Sequence, residues 1–524
     1  MIEYKNLDAC KAYAALKQAP RPAGLRTALT GERVRSFCVP AGGGLSYHYA
    51  AAPVDAYILD LLQTLAEEQQ LIGKYRAVLD GELMNPGEKR RVLHHLQRGR
   101  LGAEVIHDGK NLRAFYEGEQ RKAEEFAARV HDGRIKGSTG RRFQTAVQIG
   151  IGGSDLGPRA LYLALEQYAR AAGTQKLRAL FLSNVDPDDA NGVLDGVDLA
   201  STLFILVSKS GTTQETLANE LLVRAKLKSA GLDADRHFIA VTGEASPLAK
   251  NPGYLASFYI DDFIGGRYSS TSPVGGTVLT LAFGREVFRE LLEGAHEADK
   301  AALETDIRRN AALLDALIGV YERNVLGWPC TAVLPYSQAL SRFPAHLQQL
   351  DMESNGKRVN REGKPVGYAT GPVVFGEPGT NGQHSFYQLL HQGTDAIPLQ
   401  FVGFRAAQTA FDLEVEGSTS VRKLQANLTA QIVAFARGRG DANPNKDFPG
   451  ERPSSLLAAD RLTPRTLGAL LAHFENKVMF QGLAWNLNSF DQEGVQLGKL
   501  LAKQVLAGNS PDPALKAYAE ILGL

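Results

Sequence analysis

Cysteine is scarce in this sequence, and the few cysteines lie far apart. Cys10, Cys38 and Cys330 are an odd set among 524 residues, with no spacing typical of a metal site or a redox pair. Their scarcity excludes a disulfide-built secreted fold and favours a reducing compartment. The first residues carry mixed charge instead of a basic segment followed by an apolar one, so no secretory signal is recognisable. We therefore expect a cytoplasmic protein.

An excess of charge and a long apolar run are also lacking. Lys plus Arg number 58 and Asp plus Glu 57, which leaves a net charge of +1. Nucleic acids and anionic membranes bind proteins through extended basic surfaces, so neither is an expected partner. Apolar runs stay well short of the roughly 18 residues that a membrane-spanning helix needs. At this length we expect two large domains or about three ordinary ones.

Nucleotide and cofactor motifs are incomplete or missing. Gly150, Gly152 and Gly153 begin like a dinucleotide-binding fingerprint, but Asp155 occupies the place of its last glycine. Neither the GxxxxGK[ST] loop of ATP- and GTP-binding proteins nor a metal-ligand set occurs, so no metal and no cofactor is expected. Two interpretations of the glycine turn stay open. In the first, Gly153 lets the backbone approach a ligand and Ser154 adds a hydroxyl; in the second, the glycines only form a tight turn.

What the sequence does contain is a candidate phosphate site. Residues 202–207 form a short apolar run typical of a buried strand, and Leu217, Leu221 and Ala225 recur at helical spacing. Between them lies a hydroxyl-rich turn composed of Ser208, Lys209, Ser210, Gly211, Thr212 and Thr213. Backbone N–H groups and the positive end of a helix dipole meet in such a turn, which suits a phosphate dianion. Ser and Thr also cap helices, but four hydroxyls in six residues exceed what a cap needs.

Alternating strand and helix patterns predict the fold class. Residues 1–114 show helical spacing and almost no strand signal, which predicts an N-terminal helical layer. Strands and helices alternate over 115–292 and again over 293–505, so we expect two α/β units with parallel sheets. Residues 506–524 are predicted to form a C-terminal helical arm. In parallel sheets ligands bind beyond the carboxyl ends of the strands, where the polar loops of this sequence fall.

A basic group lies near the N-terminus. On a helix, Arg90, His94 and Arg98 would share one face, because they are spaced by four residues. The ordinary interpretation of such a face is a solvated polar surface, and we favour it over a functional one.

Four more charged residues combine with the phosphate turn. They are Arg267 after two glycines, Glu353 in a polar turn after a helix, His384 before an amphipathic helix, and Lys499 on an apolar helix. Taken singly, each has an ordinary interpretation, such as a surface ion pair, a solvated carboxylate or a snorkelling lysine. Together they fit an aldose–ketose shift on a phosphorylated sugar. That reaction needs a base, such as a carboxylate, to move a proton between carbons, and a fixed cation beside the enediolate.

Six motifs carry a resemblance that covers residues 150–499. In chain order they are GIGGSDLGP, SKSGTTQET, GGRYS, DMESNGK, GTNGQHSFYQLLHQGT and SFDQEGVQLGK. In this order and at these separations the sequence resembles the glucose-6-phosphate isomerase (phosphoglucose isomerase) family. An ExRxVLH block at residues 88–94 extends the similarity toward the N-terminus.

The resemblance implies a glycolytic and gluconeogenic enzyme that interconverts glucose 6-phosphate and fructose 6-phosphate without a cofactor. It implies two sugar-isomerase (SIS) sandwich subdomains with helical extensions, in a homodimer with shared active sites. The expected substrate contacts are Gly153, Ser154, Ser208, Lys209, Ser210, Thr213, Gln349 and Gln492. The expected catalytic residues are Glu353 as the base, Arg267 beside the enediolate, and His384 and Lys499 for ring opening, with His384 reaching in from the other subunit.

The sequence departs from the family pattern in three places. Ser210-Gly211 stands for Thr-Phe, Ser270-Thr271-Ser272 for Leu-Trp-Ser, and Gly87 for the Thr before Glu88. We expect a more open phosphate turn and an altered fit of the hexose. Two alternatives therefore stay: a broader isomerase that also accepts mannose 6-phosphate, and a non-catalytic sugar-phosphate sensor. Activity on mannose 6-phosphate tests the first, and the second gives no reason for the four charged residues to occur together.

Overall fold

The computed structural model describes residues 2–524. Its strands, in chain order, are β1 (Cys38–Gly42), β2 (Leu45–His48), β3 (Ile106–His107), β4 (Lys110–Asn111), β5 (Thr145–Ile149), β6 (Arg178–Leu182), β7 (Thr202–Ser208), β8 (Phe238–Thr242), β9 (Ser257–Tyr259), β10 (Cys330–Pro335), β11 (Val373–Phe375), β12 (Leu399–Ala406), β13 (Glu414–Val415), β14 (Ser418–Thr419) and β15 (Ser454–Arg461). Two larger sheets and two short two-stranded ribbons, β3-β4 and β13-β14, result from their pairing.

Helices pack around these sheets. In chain order they are α1 (Lys11–Gln18), α2 (Leu25–Ala28), α3 (Gly31–Ser36), α4 (Ala56–Glu68), α5 (Leu71–Leu79), α6 (Leu112–His131), α7 (Leu156–Ala171), α8 (Pro187–Asp195), α9 (Gln214–Ser229), α10 (Pro273–Phe283), α11 (Arg285–Ala301), α12 (Ala311–Asn324), α13 (Phe343–Gln348), α14 (Tyr387–Gln392), α15 (Ser420–Arg437), α16 (Pro464–Ala484), α17 (Gln496–Leu506) and α18 (Pro513–Ile521). None of them, within the described chain, combines the length and apolar character needed to cross a bilayer.

The first sheet is wholly parallel, with the strand order β6-β5-β7-β8-β9. All seven residues of β7 and all five of β8 are buried, as expected for strands covered by helices on both faces. Because β7 lies between β5 and β8, its carboxyl end opens at the middle of the sheet edge. The predicted phosphate turn follows β7 and therefore lies at that central position.

The second sheet is mixed, with the order β1-β2-β15-β12-β10-β11. Strands β15, β12, β10 and β11 are parallel, whereas β2 runs antiparallel to β15. The prediction that the N-terminal segment is almost wholly helical was wrong here, because β1 and β2 form a hairpin that extends this sheet. Each strand has only four or five residues, and the glycines at 42–44 that join them have no side chains to show the alternation, so the period of two is hard to recognise in the sequence.

Helix α16 lies at the centre of the molecule. It packs against α11 and α12, and all of its residues except Arg465 are buried. A single apolar cluster joins the N-terminal helices, both larger sheets and α16. The helical layer thus shares its core with the α/β units, and the boundaries expected near residues 115, 293 and 506 stay predictions.

Arg98 is buried, so the prediction of a solvated basic face was wrong. Residues 94–97 form only a short 3-10 turn, in which His94 is also buried. The Arg98 guanidinium donates to the Asp299 carboxylate at 3.2 Å and to the Glu475 carboxylate. The charge of Arg98 is therefore compensated by carboxylates on α11 and α16 and not by solvent, as the prediction had assumed.

Candidate active site

A cleft opens at the carboxyl end of the first sheet. Its volume is about 440 Å³, within the usual range for small-ligand sites. Ten of the twelve predicted site residues line it: Gly153, Ser154, Ser208, Lys209, Ser210, Thr213, Gln349, Glu353, Gln492 and Lys499. They come from the loops after β5 and β7, the turn after α13, and the region from residue 492 into α17. The fold thus brings distant motifs together, and the role of each residue stays a prediction.

The turn after β7 leaves the start of α9 open to an anion. The Ser208 hydroxyl accepts from the Gly211 N–H at 3.1 Å and donates to the Thr213 hydroxyl at 3.2 Å. The Ser210 hydroxyl accepts from the Thr212 N–H at 3.2 Å. In the part of the chain that the structure describes, Thr213 makes no side-chain capping bond to α9. Because the first N–H groups of the helix keep their positive character, helix capping alone does not account for these hydroxyls.

Of the residues that depart from the family pattern, Ser210 lines the cleft, whereas Gly211 and residues 270–272 are absent from its lining in the described chain. Gly211 has φ +67°, and a Cβ there would lie 2.5 Å from the Ser246 hydroxyl and 3.2 Å from Leu248 Cγ. A side chain at this position would therefore meet residues 246–248. Residues 270–272 are buried at the start of α10.

Two cleft loops touch through their backbones. A Cβ on Gly153 would lie 2.2 Å from the carbonyl carbon of Gly266, which is closer than two non-bonded carbon atoms approach each other in proteins. The structure thus gives a reason for glycine at position 153 that the sequence did not suggest, the close approach of another loop, and contact of this turn with a ligand stays a prediction. This contact fixes the turn that bears Ser154 against the loop that bears Arg267.

Glu353 ends a π-helical turn, Gln349–Glu353, that continues α13. The sequence predicted a polar turn after a helix, whereas the structure continues the helix with a wider turn of a kind that recurs at functional sites. The Glu353 side chain is 21% exposed, and its Oε2 lies 3.2 Å from Arg267 Nη1. Within residues 2–524, Oε2 has no partner with hydrogen-bond geometry. It therefore keeps lone pairs available to accept a proton.

Arg267 is buried, with only 1% of its side chain exposed. Its Nε donates to the Ser354 hydroxyl at 2.7 Å, and Nη1 donates to Gln492 Oε1 at 3.2 Å. Its Nη2 donates to the carbonyl oxygens of Ser489, at 2.6 Å, and Asp491, at 3.0 Å. Since arginine stays protonated, these acceptors fix a permanent positive charge beside Glu353. The alternative of a surface ion pair does not apply.

A second group of charges borders the phosphate turn. Lys209 Nζ lies 3.7 Å from the Asp262 carboxylate and donates to the Ile264 carbonyl at 3.2 Å. Burial lowers the pKa of Lys209, and the negative charge of Asp262 partly offsets this effect. Asp262 also pairs with Arg90 at 3.3 Å, and Arg90 pairs with Glu88 at 3.2 Å. One carboxylate thus links two cations at the cleft.

Sequence reasoning missed several residues that support the site. They are Asp262, Tyr268, Ser354, Lys357 and Asp491. The Tyr268 hydroxyl lies 3.2 Å from the Ser354 hydroxyl, and burial raises the pKa of Tyr268 to about 12. Membership in the motifs GGRYS, DMESNGK and SFDQEGVQLGK was the available signal for four of them, but their contacts depend on the fold.

His384 and Lys499, both predicted to serve ring opening, have different positions. Lys499 is exposed on α17 and lines the cleft. His384 is exposed at the end of the 3-10 turn Gly382–His384 and is absent from the cleft lining of the described chain. The intrachain geometry therefore gives His384 no contact with the other predicted catalytic residues.

The fold and the cleft together define a class: an α/β protein with two larger sheets and a polar small-ligand cleft at the carboxyl end of the parallel one. Comparison with known proteins gives the family. The model of the family described as phosphoglucose isomerase matches residues 48–519, and the chain belongs to this family.

Individual relatives agree over the whole chain. A protein named glucose-6-phosphate isomerase from Treponema denticola is 60% identical over 529 residues, covering 99% of this chain and 100% of the relative. One of the same name from Treponema pallidum (strain Nichols) is 62% identical, covering 100% and 99%. The crystal structure of a glucose-6-phosphate isomerase from Chlamydia trachomatis matches with a TM-score of 0.93 and 44% identity, covering 99% of both chains. The family and the α/β fold predicted from the sequence are confirmed.

Proposed function

We propose that the protein interconverts D-glucose 6-phosphate and D-fructose 6-phosphate, as a step of glycolysis and gluconeogenesis. The observation that carries this proposal is the ion pair, 3.2 Å long, between Glu353 and the buried Arg267, because Glu353 lines the cleft that also contains the hydroxyl-rich turn. Membership in the phosphoglucose isomerase family supports it independently. A sensor without catalytic activity has no comparable support.

The phosphate group is assigned to the turn after β7. The hydroxyls of Ser154, Ser208, Ser210 and Thr213 and the backbone at Lys209 would bind its oxygens. The open N-terminus of α9 adds a positive potential that favours a dianion. Gln349, on the π-helical turn, would donate a further hydrogen bond to the phosphate. Because Gln349 lies on the same turn as Glu353, this bond would position the reacting carbons of the bound sugar near the carboxylate.

Proton transfer is assigned to Glu353. After ring opening, its carboxylate removes the proton from C2 of the aldose, and the C–H electron pair forms the C1–C2 double bond of an enediolate. The negative charge then lies on the C1 oxygen, where the fixed charge of Arg267 would stabilise it. A proton then passes from the C2 hydroxyl to the C1 oxygen, and return of the Glu353 proton to C1 converts the C1–C2 double bond into the C2 carbonyl of the ketose, so no external oxidant or reductant is needed. Gln492, which accepts from Arg267, would line the sugar site.

Ring opening is assigned to Lys499 and to His384 of a second subunit. A groove of about 710 Å³ adjoins the cleft and shares Gln349, Glu353 and Gln492 with it. Such a groove gives a partner residue room to reach Glu353. The exposed apolar side chains of the C-terminal arm, such as Ile521 at 76% exposure, also support a homodimer. The three free cysteines support a reducing, cytoplasmic location.

The proposal is tested with purified protein and fructose 6-phosphate, followed by NMR. We expect glucose 6-phosphate as the product, and mannose 6-phosphate would instead indicate a broader isomerase. Light scattering should give twice the 56.7 kDa of one chain. Absence of any isomerisation would overturn the proposed function, and an active monomer would overturn the shared site.

A further inference from the structure

Arg267 is held by main-chain atoms of an irregular segment, residues 485–495, which joins α16 to α17. Two of its hydrogen bonds go to the carbonyl oxygens of Ser489, at 2.6 Å, and Asp491, at 3.0 Å. Carbonyl groups can position a guanidinium only when the segment that carries them is itself fixed. The position of Arg267 therefore depends on whatever restrains residues 488–492.

Lys357 restrains this segment twice. Its Nζ donates to the Asp491 carboxylate at 2.6 Å and to the Asp491 carbonyl oxygen at 3.0 Å. That carbonyl is the one that also accepts from Arg267. The second oxygen of the Asp491 carboxylate accepts from Asn488 Nδ2 at 2.5 Å. A single lysine thus fixes both the side chain and the main chain of Asp491.

The contacts of Lys357, Asp491 and Arg267 form a closed ring with the segment that carries the proposed base, Glu353. Lys357 lies four residues after Glu353, and Ser354 between them accepts from Arg267 Nε at 2.7 Å. One short segment therefore carries the base, a direct ligand of Arg267 and the lysine that fixes Asp491. Movement of residues 488–492 away from this segment would separate Arg267 from Glu353.

The charges around this ring are balanced. Lys357 and Arg267 donate to the same carbonyl and repel each other, whereas the Asp491 carboxylate attracts both. Burial lowers the pKa of Lys357, Arg267 lowers it further, and the bond to Asp491 opposes these effects. The Lys357 and Asp491 side chains are only 17% and 19% exposed. At this depth solvent screens the attraction between the two charges less than it does at the surface, so the loss of either partner leaves the other charge poorly compensated.

We propose that the Lys357–Asp491 ion pair is a positioning device that holds the Arg267 guanidinium beside Glu353. Lys357 lines the adjoining groove and not the cleft in the described chain, and its two side-chain hydrogen bonds both go to Asp491. The proposed role is therefore exerted through Asp491 and Arg267. This positioning role rests on the proposed function, because the location of Arg267 matters only if it stabilises the enediolate.

Steady-state kinetics of Lys357→Met, Lys357→Arg and Asp491→Asn test the device. We expect kcat for fructose 6-phosphate to fall about 10- to 100-fold in Lys357→Met, since misplacement by about 1 Å can cost that much. KM should stay within about threefold, because the phosphate turn is unchanged. Lys357→Arg keeps the charge and should recover most of kcat. Asp491→Asn keeps the size of the side chain and should lower kcat in the same way, even if Lys357→Met folds poorly.

Arg224→Met is the matched control. Arg224 forms a partly buried ion pair with Glu220 at 2.8 Å and is 21% exposed, but it lies on α9 behind the phosphate turn. We expect its loss to lower thermal stability and leave kcat unchanged. An unchanged kcat in Lys357→Met and Asp491→Asn, or an equal loss in Arg224→Met, would overturn the positioning role while the proposed function stands. An inactive wild-type protein would instead overturn the proposed function, and the positioning role with it.

Discussion

Replacing Glu353 by Gln removes the proposed base and leaves the surrounding structure in place. The amide has nearly the shape of the carboxylate, and its oxygen can still face Arg267. Arg267 also keeps its four other acceptors, the Ser354 hydroxyl, the Gln492 amide and two backbone carbonyls. We therefore expect the free energy of unfolding to fall by no more than about 2 kcal/mol.

The effect on turnover should be far larger. An amide cannot take a proton from carbon, and a positioned general base contributes about 10² to 10⁴ in rate. We expect kcat to fall by a factor between about 100 and 10,000, which corresponds to about 3 to 5 kcal/mol in activation free energy. Binding should persist, because the phosphate turn after β7 and the start of α9 do not involve Glu353.

Three measurements check this prediction. A coupled assay measures kcat, and thermal denaturation measures stability. Binding is measured by calorimetric titration with sorbitol 6-phosphate, which has no carbonyl group and so cannot react. The matched variant Glu362→Gln controls for the loss of one carboxylate from the same region. If Glu353→Gln retained more than about a tenth of wild-type kcat, Glu353 could not be the general base of the reaction.

Other changes give equally direct predictions. In Gly153→Ala the added methyl would collide with the Gly266 backbone, so kcat/KM should fall more than about tenfold; unchanged kinetics would show that the two loops separate freely. Arg98→Met leaves two buried carboxylates unpaired and should cost about 3–5 kcal/mol in unfolding free energy by urea denaturation; a loss below about 1 kcal/mol would contradict a buried network. Burial raises the pKa of Glu322 from 4.5 to about 8, so the folded protein binds a proton that the unfolded chain releases, and this contribution to stability is lost as pH rises between those values. Glu322→Gln should therefore gain stability relative to wild type from pH 5 to pH 9, and a difference independent of pH would refute it.

Features set by local sequence could be predicted. The strand, the hydroxyl-rich loop and the helix of residues 202–225 are contiguous in the chain, so their pattern was sufficient to predict these elements, while phosphate binding by the loop stays a prediction. The same holds for the parallel strands of both α/β units, whose apolar runs are separated by helical spacing. The motifs around Arg267 and Glu353 identified the family, although neither residue alone differs from an ordinary polar loop residue.

Features set by distant contacts could not be predicted. The carboxylates that pair with the buried Arg98 lie 201 and 377 residues further along the chain. The spacing of residues on a helical face gives no sign of partners so far away. The hairpin β1-β2 gains its place by pairing with β15, more than 400 residues away. Asp491 belongs to a recognised motif, but its bond to Lys357 spans 134 residues. Local spacing carries no information about such pairs.

The most direct test of proton transfer by a positioned base is isomerisation in deuterated water. Fructose 6-phosphate is incubated with the purified protein and a metal chelator, and the products are followed by NMR. The account predicts glucose 6-phosphate that carries deuterium at its second carbon, because the proton on the Glu353 carboxyl exchanges with solvent. Complete turnover without any deuterium in the product would show that the transferred hydrogen never exchanges with solvent, as in a direct hydride shift, and would contradict an exchangeable proton on the Glu353 carboxyl.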